Sequence, residues 1–113
     1  MKYSIIVAID NNFALTSNFI EILLASTKLG QNNELVIILD GCNNIQTINY
    51  LDSLSERNLP IKVLRNDSKK GYGIANNIAV DNSKGDILVF INSDVFPLKG
   101  SIDKLVTFFI RKP

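Results

Sequence analysis

Residues 34–41 are Glu34-Leu35-Val36-Ile37-Ile38-Leu39-Asp40-Gly41. A nearly continuous apolar run of this length is typical of a strand that is covered on both faces, as in a parallel sheet. Segments 3–9, 61–65 and 86–91 have the same character as segment 34–39. The sequence therefore predicts four buried strands, and the second of them ends at a carboxylate followed by glycine.

Apolar residues recur at helical spacing between these strands, in segments 19–26, 45–54 and 74–79. A fourth amphipathic stripe follows Ser101, which is a plausible N-cap, and consists of Ile102, Leu105, Val106, Phe109 and Ile110. Alternating strands and helices imply right-handed βαβ crossovers. We predict an α/β fold with an open parallel sheet of strand order 3-2-1-4 and helices on both faces. Gly30 is expected to end the first helix as its C-cap.

Composition narrows the classes of function. The chain has 113 residues, of which 46% are apolar and 20% charged, with a net charge of +1, so we expect one domain over residues 1–113 and no nucleic-acid partner. Histidine is absent, which excludes Ser-His-Asp and Cys-His catalysis and His-ligated zinc. The single Cys42 cannot form an internal disulfide, and no signal peptide or transmembrane segment is visible. These features favour a cytoplasmic chain, with attachment to the inner face of a membrane left open.

Each predicted strand is followed by carboxylates or amides. The clusters are Asp10-Asn11-Asn12, Asp40-Gly41, Asn66-Asp67 and Asn92-Ser93-Asp94. In an open parallel sheet these ends lie at one edge, where ligands bind. Ordinary turn and cap residues are the alternative for any single cluster. The coincidence of all four predicts a ligand site.

The triplet Asn92-Ser93-Asp94 follows a buried strand and precedes another apolar stretch. A carboxylate in that setting is expected to be partly desolvated and to need a cation. Mg²⁺ or Mn²⁺ accepts one or two protein oxygens while substrate phosphates supply others. The triplet thus predicts a metal and diphosphate site with Asp94 as the metal ligand. The alternative is that Asp94 caps a turn before Pro97.

Two further clusters suit a nucleotide. Segment 69–73, Lys69-Lys70-Gly71-Tyr72-Gly73, offers lysines, backbone N–H groups and a helix N-terminus to an anion, although a flexible glycine turn explains it equally well. Asp40 could accept hydrogen bonds from a base or ribose, or could stabilise its own turn. The spacing of Gly71, Gly73 and Asn76 imitates a dinucleotide fingerprint but lacks its third glycine.

Three segments together resemble glycosyltransferase family 2. Segment 3–7 is similar to the family's opening strand, segment 34–42 to its Val-Val-Asp-Asp-Gly-Ser motif, and segment 85–94 to its Gly-Glu-x-Ile-x-Phe-Leu-Asp-Ser-Asp motif. The resemblance implies a Rossmann-like GT-A fold that binds a nucleotide-diphospho-sugar donor with a divalent cation, Mn²⁺ or Mg²⁺. It also implies inverting transfer of the sugar to a hydroxyl of a glycan or lipid-linked acceptor, as in polysaccharide biosynthesis.

The resemblance also assigns roles to matching residues. Asp40 falls on an acid that contacts the base or ribose, and Asp94 on the metal-binding carboxylate of Asp-x-Asp. Asn92 takes the place of the first acid, as in rhamnosyltransferase-like members, with Ser93 between them. The donor site is completed by Asn11, Gly71 and Asn77, which match family positions, by Ala8 and Asp10, which occupy others, and by Lys70 of segment 69–73.

Several positions depart from the family pattern. Ala8 and Asp10 stand where Pro and Tyr are preferred, which weakens the expectation of stacking on the base. Asn76 replaces an arginine, so Lys69 or Lys70 would have to compensate at the diphosphate. The family's catalytic base lies beyond the metal motif, and no residue of this chain is assigned that role.

Two other functions remain as alternatives. One is a module that holds a nucleotide or nucleotide-sugar without turning it over. The other is a small dinucleotide or flavin protein, which would need a glycine-rich turn after the first strand, where the chain has Asp10-Asn11-Asn12-Phe13. The apolar surface around Phe108 on the last helix further suggests self-association through the C-terminal end.

Overall fold

The computed structural model describes residues 2–9 and 11–111. The elements follow in the order β1 (Tyr3–Ile9), α1 (Phe13–Ser26), β2 (Asn33–Asp40), α2 (Ile45–Ser53), β3 (Ile61–Asn66), α3 (Tyr72–Asp81), β4 (Ile87–Phe90) and α4 (Ser101–Arg111). A 3-10 turn at Leu54–Arg57 extends α2. The predicted alternation of strands and helices is confirmed, with strand ends displaced by at most one residue. No helix in the described part of the chain has the length and apolar character needed to cross a membrane.

The four strands form one parallel sheet in the order β3-β2-β1-β4, as predicted. Ile5 of β1 lies between Leu35 of β2 and Val89 of β4. The register between β2 and β3 places Asp40 opposite Asn66. All carboxyl ends therefore lie at the same edge, and the described residues of the polar clusters follow the strands there.

Helices cover both faces of the sheet, which confirms the prediction. Successive β1 residues point to opposite faces, so Ile5 joins a large core with Phe19 of α1 and Leu51 of α2, while Ile6 joins a smaller core beneath α3. Only Ala75 and Ala79 of α3 are fully buried there. These small side chains allow α3 to lie close to the sheet, directly beside the carboxyl edge.

The expected cap at Gly30 was wrong. Helix α1 begins after Asn12, whose side-chain oxygen accepts the Leu15 N–H at 3.0 Å, and it ends at Ser26. Thr27 then adopts an extended conformation, with φ of −133°, as suits a β-branched residue. Gly30 instead lies in the turn before β2. Helix α4 starts at Ser101 itself, so the expected N-cap is its first residue.

The apolar stripe of α4 is only partly buried. Ile102 and Val106 pack into the larger core, whereas Leu105 and Phe109 are 58% and 65% exposed. The stripe covers the sheet only in part, because β4 is the last strand of the described sheet and only four residues long. A cavity of about 510 Å³ remains between β4 and α4.

Candidate functional site

A cleft of about 470 Å³ opens at the carboxyl edge of the sheet. Its polar lining consists of Asp40, Lys69, Tyr72, Asn92, Ser93 and Asp94, and its apolar lining of Ala8, Ile9, Leu15, Ala75 and Ile91. The lining residues come from the ends of β1 and β2, the segment between β3 and α3, the segment after β4, and the first turns of α1 and α3. The predicted location of a ligand site therefore coincides with a cleft that both Asp40 and Asp94 line.

Asp40 is buried at the end of β2 and accepts three hydrogen bonds. Its Oδ1 accepts from Asn66 Nδ2 at 3.0 Å and from the Lys70 N–H at 2.8 Å, and its Oδ2 accepts from the Gly71 N–H at 2.9 Å. The bond from Asn66, followed by that from the Lys70 backbone, holds the pKa of this carboxyl below its ordinary value despite burial. Asp40 therefore remains ionised and secures the segment between β3 and α3.

Gly41 brings that segment close enough for these bonds. Its φ of +72° is in the left-handed region, and a Cβ at this position would lie 2.5 Å from the backbone nitrogen of Lys69. Only glycine allows both the turn and the close approach. Asp40 and Gly41 together therefore position the segment between β3 and α3. The sequence did not predict this role for Asp40.

The lowered pKa of Asp40 predicts an acid-dependent loss of stability. The ordinary value is 3.8 and the folded value is lower, so the unfolded chain binds the proton more readily and the contribution is complete above about pH 5. It is lost as the pH falls through the folded pKa. Asp40→Asn should lower the free energy of unfolding at neutral pH by about 1–2 kcal/mol, because an amide offers one acceptor to three donors.

Denaturant unfolding of both proteins from neutral to strongly acidic pH would measure this effect. The difference between wild type and Asp40→Asn should shrink in acid. Asp67→Asn is the matched control, because Asp67 lies exposed in the segment that follows β3. A difference that stays constant with pH would contradict the proposed ionised state of Asp40.

The triplet after β4 forms a turn in which the Val95 N–H donates to the Asn92 carbonyl at 3.0 Å. Asp94 was expected to be partly desolvated, but it is exposed. The reason is that Val95 and Phe96 stay half-exposed, at 50% and 47%, and do not bury the turn. Within the described residues the Asp94 carboxylate accepts no hydrogen bond, so it is available to a ligand and does not cap the turn.

A divalent cation fits this turn only as a shared ion. In the portions 2–9 and 11–111, no group of three or more His, Cys, Asp or Glu side chains could hold a metal by itself. Asp94 and the neighbouring Asn92 offer one carboxylate and one amide to the cleft. The Asp94 carboxylate matches Mg²⁺ or Mn²⁺ bound by one or two protein groups, with substrate phosphates supplying other ligands.

Asn92 and Tyr72 connect the two sides of the cleft. The Tyr72 hydroxyl, on the first residue of α3, donates to Asn92 Oδ1 at 3.1 Å. Tyr72 was not among the predicted site residues, although its place between two glycines at a helix start could have drawn attention to it. Leu15 of α1, which also lines the cleft, was missed because its helix has no distinguishing motif.

Some of the other predicted site residues line the cleft and some do not. Ala8 and Ser93 line the cleft, whereas Asn77 is exposed on α3 and does not. Asn11 Oδ1 accepts the N–H groups of Asn43 and Asn44 at 2.9 and 3.4 Å, so it secures the segment between β2 and α2.

Of the two lysines, Lys69 and not Lys70 lines the cleft. Lys70 and Gly71 contribute their backbone N–H groups to Asp40. Lys69 is the one cationic residue in the described part of the cleft lining. Asp10, also predicted for the donor site, lies outside the described residues.

Comparison with known proteins identifies the family of the chain. Residues 4–113 match the model of "Glycosyl transferase family 2". An uncharacterised glycosyltransferase of Haemophilus influenzae is 26% identical over 81 residues, which cover 72% of this chain and 32% of that protein. The chain thus spans about a third of that relative's length.

Solved structures show the same fold. A mannosyltransferase from Pyrobaculum calidifontis, in complex with GDP-Man and Mn²⁺, aligns with a TM-score of 0.86 at 17% identity, over 99% of this chain and 33% of its own. TarS from S. aureus, in complex with UDP-GlcNAc, aligns with a TM-score of 0.81 at 25% identity, over 97% of this chain and 31% of its own. The GT-A, Rossmann-like arrangement is confirmed. Because the family model extends over nearly the whole sequence, the chain belongs to glycosyl transferase family 2.

Proposed function

We propose that this chain binds the nucleotide-diphospho-sugar donor of a metal-assisted glycosyl transfer. The observation that supports this most directly is the free carboxylate of Asp94 in one cleft with the ammonium-bearing Lys69. A diphosphate with a bound cation carries both negative and positive charge. Its phosphates would pair with Lys69, and its cation would pair with Asp94. The solved relatives that contain GDP-Man with Mn²⁺ or UDP-GlcNAc support a ligand of the same class.

Asp94, Lys69 and Asp40 have distinct tasks in this proposal. Asp94 would hold a divalent cation, which when bound supplies positive charge to the departing diphosphate. Lys69 adds a second positive charge from the segment that Asp40 secures. Catalysis would come from positioning and charge stabilisation. The reaction would be inverting displacement by an acceptor hydroxyl on a glycan or lipid-linked molecule.

Calorimetric titration with GDP-mannose and UDP-N-acetylglucosamine, each with and without Mn²⁺, tests the proposal. Binding of at least one donor should strengthen when Mn²⁺ is present. If the chain binds neither donor in either condition, the proposed function is wrong.

Replacing the two adjacent lysines separates their roles. Lys69→Ala should weaken nucleotide-diphosphate binding by about tenfold, as expected for loss of a charged hydrogen bond to phosphate. Lys70→Ala removes the same side chain one residue away but leaves its backbone bond to Asp40, and should change binding by less than about twofold. Calorimetry of both variants gives the comparison. Equal losses would indicate a general effect of net charge.

A second candidate function is donor binding without transfer. The acids in the described lining of the cleft are Asp40, which accepts three hydrogen bonds, and Asp94, which the metal would occupy. Neither is left to take a proton from an acceptor hydroxyl. Measuring donor hydrolysis and sugar transfer alongside binding distinguishes the two candidates, since turnover by this chain would exclude a pure binding module.

A further inference from the structure

The hydrogen bond between Tyr72 and Asn92 joins two residues that line the cleft. It joins two residues 20 positions apart in sequence, one on the first turn of α3 and one after β4. Both side chains line the same cleft, and the Tyr72 side chain is 55% exposed. An exposed bond of this kind adds little to folding stability. Its position suggests a role in the site.

The bond determines which end of the Asn92 amide faces the ligand. A side-chain amide has one acceptor oxygen and one nitrogen with two N–H donors, on opposite branches of a planar group. Because Oδ1 accepts the Tyr72 hydroxyl, Nδ2 is turned the other way, and within the described residues it donates to no protein group. We propose that Tyr72 is a positioning residue that presents the Asn92 amide nitrogen to the donor substrate as a hydrogen-bond donor.

Tyr72 is itself held in place by the neighbouring segment. The residue before it, Gly71, has a φ of +98° and donates its N–H to Asp40. The Ala75 N–H donates to the Gly71 carbonyl at 2.9 Å, which begins α3. The carboxylate at the end of β2 therefore fixes the helix start that carries Tyr72, and Tyr72 in turn orients the amide after β4.

This orientation has a chemical consequence for the donor site and rests on the proposed function. An N–H group recognises oxygen acceptors, such as phosphate or sugar hydroxyl oxygens, and does not ligate a cation. Asn92 would then contact the donor directly, while the Asp94 carboxylate would bind the metal. Tyr72 thereby influences donor affinity without needing to contact the donor.

A double-mutant cycle tests this inference. Tyr72→Phe removes only the hydroxyl, and it should weaken binding of GDP-mannose or UDP-N-acetylglucosamine in the presence of Mn²⁺ by about threefold to tenfold, the usual effect of one neutral hydrogen bond. In an Asn92→Asp background the two carboxylate oxygens are equivalent and no orientation remains to be set. There, Tyr72→Phe should change binding by less than about twofold.

Tyr50→Phe is the matched control. Its hydroxyl donates to Glu21 between α1 and α2, and Tyr50 does not line the cleft. This variant should bind the donor like wild type. Equal losses from Tyr72→Phe in both backgrounds would show that the hydroxyl acts on the ligand or on folding and would overturn the inference. No loss in the wild-type background would overturn it as well.

A measurement without ligand separates this inference from the proposed function. The ¹⁵N order parameter of the Asn92 side-chain amide, assigned by its disappearance in Asn92→Asp, should fall in Tyr72→Phe and stay unchanged in Tyr50→Phe. An unchanged value in Tyr72→Phe would show that the hydroxyl does not hold the amide. If wild type binds neither donor, the proposed function fails and the donor role of Asn92 fails with it, whatever the order parameter shows.

Discussion

Asp94→Ala is expected to abolish the dependence of nucleotide-diphosphate binding on a divalent cation. Asp94 is the only acid in the turn after β4, and its carboxylate accepts no hydrogen bond from the described residues. Loss of groups that merely support a metal ligand costs about 10- to 100-fold in metal affinity, so loss of the ligand should cost about 100-fold or more. Calorimetry of donor binding in Mn²⁺ and in excess chelator measures the change.

Asp67→Ala provides the comparison for this experiment. Asp67 is an exposed carboxylate that follows β3 at the same edge of the sheet, but it does not line the cleft. The Asp67→Ala variant should retain the dependence of nucleotide-diphosphate binding on Mn²⁺. Asn92→Asp should tighten metal binding by adding a second carboxylate. If wild type binds the nucleotide equally well in chelator and Asp94→Ala changes nothing, the metal role belongs to other residues.

Gly85→Ala is expected to destabilise the fold strongly. A Cβ at Gly85 would lie 2.5 Å from the Ser4 backbone nitrogen and 2.7 Å from the carbonyl carbon of Tyr3, both on the central strand. The Gly85 N–H also donates to Ser4 Oγ at 2.8 Å, so the chain cannot move away without losing this bond. Overpacking against backbone should lower the free energy of unfolding by about 2–3 kcal/mol.

Gly73→Ala is the matched substitution. Gly73 lies in the first turn of α3, and a Cβ there meets nothing within 4 Å. Alanine should therefore leave stability unchanged or raise it by up to about 1 kcal/mol, because glycine is the poorer helix former. Denaturant unfolding of the two variants distinguishes a specific clash at Gly85 from a general effect of replacing glycine. Similar stabilities would contradict the close approach seen at Ser4.

The sheet was predictable because its determinants are local. Runs such as Ile5 to Val7 and Val36 to Leu39 are apolar at every position, and alternating helices leave few orders for parallel strands. The burial of α4 was not predictable in the same way. Whether Leu105 and Phe109 are covered depends on how far the sheet extends beyond β4. The periodicity of α4 contains no information about the extent of the sheet.

The location of the site was predictable from the sequence, but only some of the side chains that line it were. Asp40 and Asp94 line one cleft because parallel strands share an edge. The distinction between Lys69 and Lys70 depends on which backbone N–H groups Asp40 binds, a contact between positions about 30 residues apart. The contact of Tyr72 with Asn92 is likewise tertiary, so neither spacing nor propensity could have shown it.

The hydrogen bonds that secure two segments at the carboxyl edge have a kinetic consequence. The side-chain oxygens of Asn11 accept backbone N–H groups of the segment after β2, and those of Asp40 accept backbone N–H groups of the segment after β3. The conformational entropy of these segments is therefore lost when the chain folds and need not be lost again when a ligand arrives. Association should then proceed in a single step limited by encounter, with no slow phase from loop ordering.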